Sequence, residues 1–138
     1  MKKIVITFVF AFIAMLAFNN IANAATTISF ILYVDDGGHG FGCSLPYSGA
    51  YYVHVYIYAN GTLMCDEERY DVYNQTNYPI SWSCGGDLSQ YNYYTVTVEV
   101  CRYTPPSTLT CCFSSSQSNI TASQLTGGSW IDRCRINY

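Results

Sequence analysis

Apolar and polar residues alternate with a period of two along most of this chain, the pattern of β-strands with one buried face. In residues 51–58, for example, Tyr51 and Val53 begin one face while Tyr52 and His54 begin the other. The same period recurs in residues 27–34, 62–65, 78–84, 93–101, 108–113 and 130–138. This pattern predicts about seven short strands.

Turn signals separate these segments. The Ala59-Asn-Gly sequence favours a tight hairpin, and the two prolines within residues 104–108 have no backbone donor for a sheet. A single short helix is predicted near residues 118–128, with Thr121 and Gln124 as a capping box and Gly127 as a stop. The chain is therefore expected to be all-β: an antiparallel β-sandwich of the immunoglobulin- or prealbumin-like kind.

The first 24 residues predict export. A basic start at Lys2 and Lys3 precedes an apolar run, and small residues end at Ala24, which is the layout of a cleavable signal peptide. A transmembrane anchor is the alternative, but the run of about 15 residues is shorter than the roughly 20 that span a bilayer. We expect a signal peptide at 1–24, one domain at 25–138, no membrane anchor, and secretion to an extracellular or periplasmic location.

Residues 25–138 are acidic, which disfavours some partners. Both lysines precede Ala24, so these residues hold four arginines against nine carboxylates. Binding to phosphate backbones depends on lysine and arginine. Nucleic acid and anionic membrane surfaces are therefore not expected as partners.

Seven cysteines in an exported domain of this size predict a disulfide framework. A metal centre is disfavoured because no Cys-x-x-Cys pair is present. An odd number leaves one thiol over, which raises the alternative of a disulfide-linked dimer.

Strand parity suggests a pairing for six of the cysteines. Positions that share a core face favour Cys65–Cys84, and a hairpin about Pro106 and Ser107 places Cys101 opposite Cys112. Cys111 would then face inward with Leu109 and Phe113, which favours a Cys111–Cys134 bond. The remaining thiol would be Cys43.

No catalytic motif is evident, and we do not expect an enzyme. Cys43 with His39 or His54 would be the available cysteine–histidine pair, yet nothing in the spacing supplies an orienting third group. The glycine-rich loop that contains His39 lacks the spacing of a dinucleotide-binding loop.

A calcium site is a more specific alternative, although no cofactor is required. If consecutive strands alternate in direction, Asp35, Asp36 and Asp71 would lie at one end of the sandwich with the acidic residues 66–68. Calcium prefers six to eight oxygen ligands, often from loops. The competing interpretation is that these acidic loops are simply solvated.

The tyrosines are the other unusual feature. Tyr52, Tyr56 and Tyr58 share one face of the strand at 51–58. Exposed tyrosines provide rigid contact area with a hydrogen-bonding tip, which suits protein or carbohydrate partners. Tyrosine is also simply a good strand former, so these residues could equally fill a half-buried face.

These features favour an exported, disulfide-stabilised binding or interaction module without a catalytic site. The alternative is a small secreted enzyme, toxin or inhibitor that uses the acidic loop end, with calcium as its ligand.

Overall fold

The computed structural model describes residues 25–35, 49–104, 106 and 108–135. The expected signal peptide therefore lies outside the described residues. The described chain contains seven strands, a five-residue helix α1 (Ala122–Thr126) and a 3-10 turn at Leu88–Gln90. The strands are β1 (Thr26–Asp35), β2 (Tyr51–Ala59), β3 (Thr62–Val72), β4 (Asn77–Cys84), β5 (Tyr94–Thr104), β6 (Thr108–Ile120) and β7 (Ile131–Arg135).

The strands form two sheets, with orders β4-β1-β7 and β3-β2-β5-β6. Neighbours are antiparallel except β1 and β7, which are parallel, with Ile31 opposite Ile131. The expectation of an antiparallel arrangement throughout is therefore wrong at this pair. The first and last strands can run parallel because a long stretch of chain through both sheets connects them.

One hydrophobic core joins the two sheets, and it follows the period-two pattern. Alternate residues of β1 from Ile28 to Val34, and of β2 from Tyr51 to Ile57, are almost completely buried. The aromatic rings of Trp82 and Trp130 pack edge-on against Phe30 at centroid distances of 6.1 and 5.2 Å. Burial of each large apolar side chain contributes roughly 1.5–3 kcal/mol, so this core is the main stabilising element.

The local signals at the turn and the helix are confirmed. Asn60 and Gly61 both adopt positive φ, 49° and 79°, as the tight hairpin between β2 and β3 requires. Thr121 caps α1 in a capping box with Gln124, and the helix ends at Gly127. These short-range signals were sufficient because the chemistry that forms each element lies within a few residues.

Two strands are longer than the alternation predicts. β3 continues to Val72, so the acidic segment expected as a connecting loop lies inside a strand. β6 continues through a serine-rich stretch to Ile120. Pairing with β2 and β5 provides backbone hydrogen bonds that override the weak strand preference of these polar residues.

Two of the predicted disulfides are present. Cys65 of β3 bonds to Cys84 of β4, and these strands lie at the edges of different sheets, so the bond joins the sheets covalently. Cys101 bonds to Cys112 across the β5–β6 pair. Both bonds fit an oxidising environment.

The predicted Cys111–Cys134 bond is wrong, because Cys134 is a free, buried thiol. The register shifts between Val100 and Arg102, so two residues of β6 lie opposite Cys101. This bulge breaks the alternation on which the third pairing depended. Leu109, expected on the core face, is instead 43% exposed. The expected free thiol, Cys43, lies outside the described residues.

An ionisable pair lies on the buried side of β7. Asp132 is 5% exposed, and burial raises its carboxyl pKa to about 6. Burial, with the charge of Asp132, raises the pKa of the Cys134 thiol to about 12. The thiol is therefore protonated and unreactive at neutral pH.

We expect the Cys65–Cys84 bond to be the more informative of the two disulfides to remove. The Cys65→Ala/Cys84→Ala double variant should lower the free energy of unfolding by about 3 kcal/mol. The reason is that the bond closes the segment between residues 65 and 84 into a loop, and without it the unfolded chain gains conformational entropy. Urea unfolding followed by tryptophan fluorescence measures the change. An unchanged unfolding midpoint would contradict this role.

Asp132→Asn should change how stability depends on pH. The native carboxyl binds its proton more tightly than the unfolded one, so its contribution is fully present below about pH 4 and is lost as pH rises through about 6. The variant should match the wild type near pH 4 and exceed it at pH 8 by up to about 3 kcal/mol. If the unfolding free energies of the variant and the wild type differed by the same amount at every pH from about 4 to about 8, the burial of this charge would be contradicted.

Candidate binding face on the four-stranded sheet

The outer face of the β3-β2-β5-β6 sheet gathers aromatic and acidic side chains. Strand β2 lies at its centre, and the residues that alternate with its buried positions point away from the core. Register places residues of β3 and β5 beside them. We call this set the tyrosine face: Tyr52, His54, Tyr56, Tyr58, Asp66, Glu68, Tyr70, Glu99 and Tyr103.

The rings of this face contact one another in a continuous row. His54 stacks on Tyr56 with 4.0 Å between centroids, and Tyr56 lies 6.3 Å from Tyr58. Beyond His54, the row continues at Tyr52 and crosses to the neighbouring strands. The ring centroid of Tyr52 lies 5.2 Å from that of Tyr70, and the centroid of Tyr70 lies 5.3 Å from that of Tyr103. Aromatic pairs in such arrangements stabilise one another and hold their rings in fixed positions.

The polar tips of these rings bind the neighbouring carboxylates. The Tyr52 hydroxyl donates to Glu68 Oε1 at 3.0 Å and lies 3.1 Å from His54 Nδ1. His54 Nε2 lies 2.7 Å from Asp66 Oδ2. Tyr56 donates to Glu99 Oε2 at 3.3 Å.

The environment keeps two of these phenols neutral. Tyr52 is 6% exposed, and its burial together with Glu68 raises the phenol pKa well above its usual range. Burial and the Glu99 charge also raise the pKa of Tyr56. At physiological pH these groups donate hydrogen bonds and are poor bases or nucleophiles.

A shallow groove of about 180 Å³ lies at one end of this face. It is lined by Tyr70, Tyr103, Pro106 and Leu109. Tyr70 is 47% exposed, so an aromatic edge remains accessible to a ligand. Sequence reasoning did not identify this groove because Tyr70 and Leu109 are far apart in the chain and meet only through the β3-β2-β5-β6 order.

The predicted binding residues occur on one face, but they are not equally accessible. Tyr56 and Tyr58 are half-buried, while Tyr52 is buried beneath its neighbours. The acidic partners and Tyr70 were not predicted as part of this surface. Residues 66–69 are all charged, so the sequence contained no alternation of apolar and polar positions that would have placed Asp66, Glu68 and Tyr70 on this face.

The predicted calcium site stays a prediction, because one of its three ligands is not among the described residues. Asp35 ends β1 in the three-stranded sheet, Asp71 lies on β3 in the other sheet, and Asp36 lies outside the described residues. The neighbouring acidic residues have other contacts: His54 approaches Asp66, and Arg69 donates to Glu67.

The described ranges bring one group of three metal-ligating residue types close together: Glu99, Cys101 and Cys112. The two cysteines form a disulfide, so their sulfurs are not thiolates that could bind a metal.

The helices within the described ranges are too short or too polar to cross a bilayer. No known protein family, curated protein or solved structure matches this chain. The function must therefore be inferred from the face itself.

Tyr52→Phe tests how much the hydrogen bonds among the side chains of the tyrosine face contribute to stability. Loss of the hydroxyl leaves the ring packed but removes a buried donor from Glu68, which we expect to cost about 1 kcal/mol of stability. Tyr93→Phe is the matched control, because that tyrosine is 59% exposed and lies outside the tyrosine face. Equal thermal unfolding midpoints for the two variants would show that the network contributes no stability.

Proposed function

We propose that this protein is an exported, disulfide-stabilised binding module that recognises a protein or carbohydrate partner with its tyrosine face. The observation that carries the proposal is the row of mutually contacting rings with carboxylates at their polar tips. Its side chains are already held in place before a ligand arrives. Such preorganisation reduces the entropy that binding costs.

The chemistry of the face suits recognition. Tyrosine offers a rigid apolar surface and a hydrogen-bonding hydroxyl, and it is enriched at interfaces. Asp66 and Glu68 remain 46% and 50% exposed at their side chains, so they can accept further hydrogen bonds from a ligand. The groove at Tyr70 and Tyr103 adds an accessible apolar recess.

Catalysis by a small secreted enzyme is less well supported. A general base must reach a substrate proton, but the ring of His54 contacts Tyr52 on one side and Asp66 on the other. The raised pKa of the Tyr52 phenol disfavours its use as a nucleophile. A toxin or inhibitor would still act through binding and is compatible with the same face.

The strand order also supports a finer proposal, that the two sheets form an immunoglobulin-like sandwich. The pair β1–β4 and the order β3-β2-β5-β6 correspond to strands B–E and C′-C-F-G of that architecture. β7 takes the remaining edge position, parallel to β1. Export is supported by the layout of residues 1–24 and by disulfides that suit an oxidising compartment.

Arrays of immobilised peptides and oligosaccharides test the binding proposal. The disulfide-intact protein should bind at least one ligand class, and Tyr70→Ser/Tyr103→Ser should weaken that binding about tenfold or more because it removes the accessible rings. The matched control is Tyr93→Ser, which removes an exposed tyrosine elsewhere.

Two results would contradict the proposal. One is the absence of any ligand on both arrays. The other is binding that the control variant weakens as much as the double variant does, because the ligand would then recognise a different surface.

A further inference from the structure

We propose that the partner of the tyrosine face is an extended polypeptide segment that bears arginine or lysine side chains. This inference rests on the proposed binding function and specifies its ligand. It is supported by the charge of the face, by the spacing of its carboxylates and by the aromatic groove beside them.

The face is acidic and lacks a permanently cationic side chain. Asp66, Glu68 and Glu99 point outward beside β2. Within the described ranges, the register places Arg69 opposite Val53 and Arg102 opposite Tyr51, on the inward-pointing side of the sheet, and Arg133 lies against Tyr33 in the other sheet. The face is therefore complementary to a cationic partner.

The carboxylates can accept more than their internal contacts use. Tyr52 binds Oε1 of Glu68, and His54 approaches Oδ2 of Asp66, so each contact engages one oxygen of its carboxylate. A carboxylate has acceptor sites on both oxygens and binds a guanidinium through two parallel hydrogen bonds. The half-exposed side chains leave room for this approach.

The spacing of these carboxylates matches an extended peptide. Asp66 and Glu68 are two residues apart on β3, so their Cα atoms are about 7 Å apart along the strand. An extended peptide presents alternate side chains with the same repeat. Two basic residues separated by one position would therefore meet the two carboxylates in register, which a sugar ring has no intrinsic reason to do.

The aromatic groove provides a surface for the apolar stems of such residues. Tyr70 and Tyr103 line it, and Tyr70 lies next to Tyr52, whose hydroxyl contacts Glu68. Arginine and lysine have long methylene stems that pack on apolar surfaces while the charge remains hydrated. Their cations are also attracted to the face of an aromatic ring.

The experiment uses the full-length gene product, exported and purified with its disulfides intact, and three probes. Hexa-arginine is the basic peptide, hexa-glutamate reverses its charge, and cellohexaose is a neutral oligosaccharide. Two-dimensional amide NMR titrations report which residues each probe contacts. We expect hexa-arginine to shift the amides of β2, β3 and β5, with affinity that falls steeply between about 0.05 M and about 0.5 M salt.

The Asp66→Asn/Glu68→Gln variant removes both charges while keeping similar shapes, and it should weaken hexa-arginine binding about fivefold to tenfold. Asp87→Asn removes one charge and is the charge-matched control for either single variant, Asp66→Asn or Glu68→Gln. It removes a carboxylate from the turn before Leu88–Gln90, where asparagine still accepts the Ser89 amide hydrogen bond. Its affinity should equal that of the wild type, and circular dichroism verifies that each variant is folded.

The outcomes separate this inference from the binding function. Binding of cellohexaose or hexa-glutamate to the face, without hexa-arginine, overturns the basic-peptide inference but leaves the binding function intact. If Asp87→Asn weakens binding as much as the single variant Asp66→Asn or Glu68→Gln does, the inference is overturned, because attraction would then depend on net charge alone. If hexa-arginine does not bind, the inference fails, and the array result for Tyr70→Ser/Tyr103→Ser decides separately whether the face binds another ligand.

Discussion

The burial of the inner face of β2 is the constraint on which the rest of the structure depends. Val53, Val55 and Ile57 are completely buried, and β2 lies between β3 and β5 in the larger sheet. Because side chains alternate strictly along a strand, fixing these residues in the core also fixes Tyr52, His54 and Tyr56 on the opposite side. A slip of one residue would exchange the core and the candidate site, so the hydrophobic effect that folds this strand also positions its polar face.

Strand parity explains both the successes and the failures of the predictions from sequence. It identified Cys65–Cys84 from a shared face, and it also gave Cys101–Cys112, although the register next to the turn, with Thr104 opposite Thr108, leads to Cys111 and only the bulge brings Cys112 beside Cys101. It failed for Cys111–Cys134, where a bulge opposite Cys101 changes the register by one residue. A bulge has no unique local signal, since it arises from the twist and pairing of two strands that come together only in the folded sheet.

The candidate site was only partly predictable for a similar reason. The shared face of Tyr52, Tyr56 and Tyr58 follows from one strand, whereas the contacts with Glu68 and Tyr70 depend on which strand lies beside β2. The acidic composition of residues 66–74 favoured a loop, but pairing with β2 extends the strand as far as Val72. Tertiary pairing therefore converted an apparent acidic loop into one border of a binding face.

Tyr52 links the stability of the domain to the chemistry of its surface. Its ring is buried, yet its hydroxyl contacts Glu68 and His54 on the accessible side. Replacing this residue therefore disturbs folding and the polar network together, and loss of binding would not distinguish the two. The exposed Tyr70 has no such double role in the core, since 47% of its surface is accessible. The accessible rings are therefore supported by a buried, hydrogen-bonded neighbour. Substitutions at these rings can change the contacts of the site without disturbing the sheet, because the side chains that stabilise the core lie on the other face of the same strands.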